Sequence, residues 1–157
     1  MGVVASLIAN VKTAVDARAN AEGLTGGFAL DKKGNAGAGV NMIPDDNCVQ
    51  VFMRGASRGR SEYGKEAMQV RERDLVVRYA KHVVLQKGYG TVEDQFTSNE
   101  ARLIAAVEKD TTLPTGCHQV EHKDTDIFAP EMLGQGQDQP GVWVMDVVFN
   151  LVYEEVF

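Results

Sequence analysis

Three short stretches hold residue types that could do chemistry, and each must meet a different spatial requirement. Gly59-Arg60-Ser61-Glu62-Tyr63-Gly64-Lys65-Glu66 has the spacing of a phosphate-binding loop. In such a loop a hydroxyl follows the lysine to meet magnesium, whereas Glu66 would set a carboxylate against the phosphates, so the stretch reads as an exposed loop. Gly37-Ala38-Gly39 lacks the third glycine and the flanking strand and helix of a dinucleotide fingerprint. Cys117, His118 and His122 fall within six positions, and on a strand His118, Val120 and His122 would share a face, so that a metal could bridge two imidazoles. Zinc asks for three or four ligands, however; Cys117 would point to the opposite face, and the remaining histidine, His82, is distant in sequence. The divergence of Cys117 and His118 on a strand also argues against a nucleophile and base pair. Asp124-Thr125-Asp126 resembles a metal-binding carboxylate pair, but two acids in a turn more often stay solvated or accept from a backbone amide. The residues therefore point to no catalytic, cofactor or metal site, and the expectation is a protein that is not an enzyme.

The regional feature that remains is charge. Residues 54–73 carry Arg54, Arg58, Arg60, Lys65, Arg71 and Arg73 against Glu62, Glu66 and Glu72, a local excess of three positive charges in a chain whose formal net charge is −6. One reading is a solvated hairpin tip of mixed charge. The other makes these six basic residues a contact surface, for an acidic patch on a neighbouring subunit or for DNA passing close by. An acidic chain with a pI near 5.0 does not present the overall basic surface that tracks nucleic-acid phosphates, so any such contact must be local.

These features need a scaffold, and 157 residues are enough for one domain, expected to span 1–157, with a core that needs no disulfide or metal. Hydrophobic residues at 44% and charged residues at 24% match ordinary globular proteins and exclude wholesale disorder. Two cysteines are too few for a disulfide framework and are expected as buried thiols. No apolar run approaches the roughly 18 residues of a membrane span, and the N-terminus lacks the pattern of a signal peptide, so the chain is expected in the cytoplasm or in a particle assembled there.

Hydrophobic spacing outlines the elements. Val4, Leu7, Ile8, Val11, Ala14, Val15 and Ala19 predict an amphipathic helix over 3–22, with Gly23 as its C-cap. Residues 23–47, rich in Gly and Asn, read as a long loop with turns at Asp31-Lys32-Lys33-Gly34 and Pro44-Asp45-Asp46. Residues 48–53 read as a strand and residues 55–64 as an exposed polar connection. Residues 75–87 fit both periods; their β-branched valines and the stop at Lys87-Gly88-Tyr89-Gly90 favour a strand. Thr97-Ser98-Asn99-Glu100 has the form of a capping box and predicts a helix starting there, bearing Leu103, Ile104 and Val107 and ending before Pro114. A strand is expected over 117–122, a turn through Asp124-Thr125-Asp126 and a polar loop over 134–141. The clearest element is the last: Trp143, Met145, Val147, Phe149, Leu151 and Tyr153 line one face of a strand, and Asp146, Asn150 and Glu154 mark the other. The fold class expected is α+β, a mostly antiparallel sheet of about four or more strands with two helices on one face and a long basic hairpin.

This order resembles the tail-terminator proteins of long-tailed bacteriophages over nearly the whole chain. The carriers are residues 79–87 ending in Val84-Leu85-Gln86-Lys87, the helix over 100–109 with Leu103, Ile104 and Val107, and Ile127-Phe128-Ala129-Pro130-Glu131 leading into residues 142–154 with their closing Val152-Tyr153-Glu154. The resemblance implies a structural virion protein in the tail or neck, assembled in the host cytoplasm, that forms a ring, expected to be a hexamer. Its partners would be further copies of itself, the tail tube protein and the head–tail connector protein, with DNA only as passing cargo, and neither membrane nor cofactor. The final strand is the expected element of sheet pairing between subunits, and the basic hairpin is expected at the lumen or the neighbouring ring. Another phage neck or tail-tube subunit is the nearest alternative; a small metal-binding or nucleic-acid-binding domain is a more remote one.

Overall fold

A computed structural model describes residues 2–21, 29–30, 48–59, 68–83, 89–132 and 141–156. The elements are α1 (Val3–Ala21), β1 (Ala29–Leu30), β2 (Cys48–Gly59), β3 (Met68–Val83), α2 (Tyr89–Ala105) running on into a π-helical turn (Ala106–Asp110), β4 (Cys117–Met132) and β5 (Gly141–Val156). The sheet order is β1-β2-β3-β5-β4. Its four long strands are antiparallel to their neighbours, and the two-residue β1 adds in parallel at Cys48 and Val49. The fold is therefore α+β, with two helices on one face of a mainly antiparallel sheet.

Strand alternation decides which side chains form the core. Val49 and Val51 on β2, Leu75, Val77 and Tyr79 on β3, and Met145, Val147, Phe149 and Leu151 on β5 all project to the face that the helices cover. From α1 come Leu7, Val11 and Val15, spaced four apart and fully buried. From α2 and its continuation come Phe96, Leu103, Ala106 and Val107, with Phe96 edge-on to Tyr79 at 5.6 Å between ring centroids. Burying a leucine of this kind contributes about 1.5–3 kcal/mol.

Several sequence expectations are met. The opening helix holds, as does the strand choice for residues 75–87 up to Val83, with 84–87 outside the described residues; Cys48 is buried, whereas Cys117, expected to be buried too, is only partly so; and the last element is a strand of 16 residues. No helix among the described residues is long and apolar enough to cross a membrane. The turns expected at Asp31-Gly34 and Pro44-Asp46, the phosphate-loop stretch beyond Gly59 and the loop over 134–140 lie outside the described residues.

Three expectations are corrected. The helix does not start at the capping-box pattern: α2 begins at Tyr89, and the Thr97 hydroxyl donates back to the Glu93 carbonyl at 2.9 Å, as a mid-helix threonine does. Residues 55–59, expected as connection, continue β2, with a register irregularity between Arg54 and Arg58 that accommodates Gly55 at φ 70°. Asp124-Thr125-Asp126 is no turn but the middle of β4. A β-bulge between His122 and Asp124 takes up the extra residue, and the Asp124 carboxylate accepts from the Thr125 amide at 2.9 Å. Asp124 thus satisfies local backbone without reversing the chain.

A real turn stands just before β4. The Cys117 amide donates to the Pro114 carbonyl at 3.0 Å, and Gly116 adopts φ 94°. The Gly116 carbonyl then accepts from the Glu154 amide at 2.7 Å, which fixes the start of β4 against the end of β5.

Candidate assembly surface

The helices cover one face of the sheet. The other face carries transverse rows of cross-strand neighbours in which apolar and ionic residues alternate. Cys48, Ala80, Val144 and Phe128 form one row; Gln50, Arg78, Asp146 and Asp126 the next; then Phe52, Val76, Val148 and Asp124; then Arg54, Asp74, Asn150 and Glu121. This follows from the same period of two that builds the core: residues at even positions of β2, β3 and β5 share the face on which no described element packs, the open face, although Val76, Ala80 and Val148 on it are buried.

Two carboxylates on this face are buried, Asp74 at 7% exposure and Asp146 at 3%, and both are paired. Arg78 reaches Asp146 through two parallel bonds, Nε to Oδ1 at 2.7 Å and Nη2 to Oδ2 at 2.8 Å. The hydrogen bond that Arg78 donates to Asp146 raises the guanidinium above its ordinary value, outweighing desolvation. That guanidinium also stacks 5.0 Å from the Phe52 ring centre. Asp74 collects cations from both flanks of the sheet: Arg58 at 3.1 Å and Arg54 at 3.4 Å from β2, and Lys123 at 3.4 Å from β4. Burial pushes the Asp74 carboxyl up, but the contacts with Arg58 and Lys123 prevail and hold it below the ordinary aspartate value. Arg58 also donates to Asn150, and the Asn150 amide to Glu72, each at 3.4 Å.

The structure thus divides the basic residues of the 54–73 segment. Arg54 and Arg58 lie on the open face beside Asp74, with nearly half of each side chain exposed. Arg71 and Arg73 stand at the opposite parity of β3; Arg71 pairs with Glu155 at 3.3 Å, and Arg73 donates to the Gly55 carbonyl at 3.0 Å. Arg60 and Lys65 lie outside the described residues. No single bare basic surface unites the four described cations.

The Cys-His cluster is also divided, because a bulge between Cys117 and Gln119 breaks the alternation that would have aligned His118 with His122. Cys117 packs against the core, where burial pushes its thiol up and away from nucleophilic character. His118 instead turns to Glu154, Nε2 to Oε1 at 2.9 Å. His122 meets Phe149 edge-on at 5.8 Å and shares a hydrogen bond with Thr125 at 2.8 Å, while its backbone amide donates to the Glu108 carboxylate at 3.0 Å. Among the described residues, no three His, Cys, Asp or Glu side chains converge on a point where a metal would bind.

Among the described residues two edges flank the ladder. β4 is the last strand of the sheet, and on the outer side of β2 the short β1 pairs with Cys48 and Val49, with no described strand beside residues 51–59. At the β4 edge Ile127 and Phe128 are half exposed, at 52% and 50%. β5, expected as the strand that pairs between subunits, lies instead between β3 and β4 with both edges in use, so its backbone is spent within the chain.

Sequence reading missed the edge role of β4 because it placed a turn at Asp124-Thr125-Asp126, which hid the strand's length. The exposed pair Ile127-Phe128 was the available signal. Between them the arrangements on this surface offer charge-matched contacts and backbone pairing. No protein-family model and no curated protein matches the chain.

Proposed function

We propose that this chain is a structural virion protein, a tail terminator of a long-tailed bacteriophage that forms a ring, caps the tail tube and joins it to the head connector. The observation that carries the reading is a four-stranded antiparallel sheet whose two sides, β2 and β4, both retain open backbone edges among the described residues. A subunit with two different open edges suits heterologous contacts, which close into a ring when the rotation between copies closes. The element order of helix, strand hairpin, helix and two further strands supports the same reading. Such a subunit needs no active site, cofactor or membrane contact. Its partners are further copies of itself, in a hexamer, together with the tail tube protein and the head–tail connector protein, and DNA passes through the ring as cargo.

Negative-stain microscopy and mass photometry of the purified chain, alone and with tail tubes, test this. Closed rings in solution, or rings that appear at one end of the tubes, are expected. A chain that stays monomeric at every concentration and decorates no tube end would overturn the proposal. Decoration along the whole tube would instead assign it to a tail-tube role.

A further inference from the structure

We infer that neighbouring copies are joined by direct strand pairing, β4 of one copy lying antiparallel against the outer edge of β2, from residue 51 onward, in the next; this rests on the ring reading above. Four features of the described residues lead to it. The first is length. β4 has 16 residues, about 53 Å at 3.3 Å per residue, and an edge of that length presents a row of unpaired backbone donors and acceptors. Its exposed Ile127 and Phe128 add apolar surface to one stretch of that edge, beside the charged residues 121–126.

Direction is the second. β2 and β5 run one way and β3 and β4 the other, since every neighbouring pair in the series β2-β3-β5-β4 is antiparallel. Placing the next copy's β2 beside β4, with the same face outward, continues the alternation without a break.

The third feature is that both faces match across the joint. On the helix-covered face β2 presents Val49, Val51 and Met53, and β4 presents Val120, His122, Thr125 and Ile127, so the half-exposed Ile127 would meet valines rather than water. On the open face β2 presents Phe52, Arg54 and Arg58, and β4 presents Glu121, Asp124, Asp126 and Phe128, three acids against the one cation Lys123, which turns to Asp74.

Charge then selects between the ways two copies could pair. Glu121 and Asp124 are exposed and Asp126 is half-buried, while Arg54 and Arg58 keep nearly half their surface open despite their contact with Asp74. Two β4 strands meeting about a two-fold axis would bring acids against acids, and two β2 strands would bring arginines against arginines. Like charges facing across strands destabilise the pairing, and opposite ones support it. β2 against β4 sets the two arginines against the excess of acids, and that contact is heterologous, as a ring requires.

A charge exchange tests the pairing. One variant carries Glu121→Lys and Asp124→Lys. A second carries Arg54→Glu and Arg58→Glu, with Asp74→Asn so that no buried carboxylate faces the new acids. Circular dichroism first establishes that each is folded. Each variant alone is expected to fall to the 17.1 kDa mass of a single chain, and an equimolar mixture is expected to regain rings of alternating copies. Independently, Ile127→Lys with Phe128→Lys on the exposed edge is expected to abolish wild-type rings. Folded variants that do not assemble on mixing, or rings that survive the lysines at the edge, would overturn the pairing while leaving the ring reading in place. A wild-type chain that is monomeric alone and absent from tube ends overturns both.

Discussion

At the scale of single residues, the open face depends on partners more than on charge itself. Asp146 is almost wholly buried, and an isolated carboxylate there would carry a desolvation cost of several kcal/mol. Arg78 offsets it with two aligned bonds, and its guanidinium lies over Phe52 as well. Replacing only one partner is therefore worse than replacing both. Arg78→Met should destabilise the chain by about 3–5 kcal/mol, because it leaves the Asp146 charge buried and alone. Arg78→Met combined with Asp146→Leu should recover most of that loss, since two apolar side chains of similar volume carry no such cost. Urea unfolding of the two single variants and the double variant measures the coupling directly, and equal losses in the single and double variants would contradict the argument.

At the scale of elements, what could be read from the sequence depended on whether one signal acted alone. α1 and β5 were legible because one periodicity ran unopposed through each: Leu7, Val11 and Val15 at helical spacing, and Trp143 to Tyr153 at alternate positions. The start of α2 was not legible, since Thr97 and Glu100 have the form of a cap while the threonine bonds back inside a helix that began eight residues earlier. Nor was β4. Its three bulges, at Cys117/Gln119, His122/Asp124 and Phe128/Glu131, each shift the alternation, so no periodic pattern survives along its length. The candidate site fared likewise: Arg54 and Arg58 were found from local charge, whereas Asp74, Asp146 and the acids of β4 come together only through pairing across strands. The turn that delivers the chain into β4 tests how far one residue controls an element. Gly116 has φ 94°, and a Cβ built there would lie 3.2 Å from Val3 Cγ2 on α1. Gly116→Ala should cost about 1–2 kcal/mol from its left-handed backbone, and the thermal midpoint measures it. A Gly116→Ala chain that melts with the wild type would show that the turn can relax without strain.

At the scale of the whole molecule, stability and openness are distributed in opposite senses. β3 and β5 pair through an unbroken register from Met68↔Val156 to Val83↔Gly141, and their central side chains are buried on both faces, Leu75, Val76 and Val77 opposite Phe149, Val148 and Val147. β2 and β4 each lean on this pair from one side and have interrupted registers. Amide exchange in a single chain should therefore be slowest along β3 and β5 and approach the rate set by global unfolding there. The outward-facing amides of β4, and those of β2 from residue 51 onward, have no partner strand among the described residues and should exchange fast in the monomer. If copies join edge to edge, these same amides gain carbonyl partners on assembly, and their exchange should slow by orders of magnitude while β3 and β5 change little. Hydrogen exchange read by mass spectrometry on monomer and ring separates this from contact through the helices. In that case protection would appear on α1 or α2, and both strand edges would stay as fast as before.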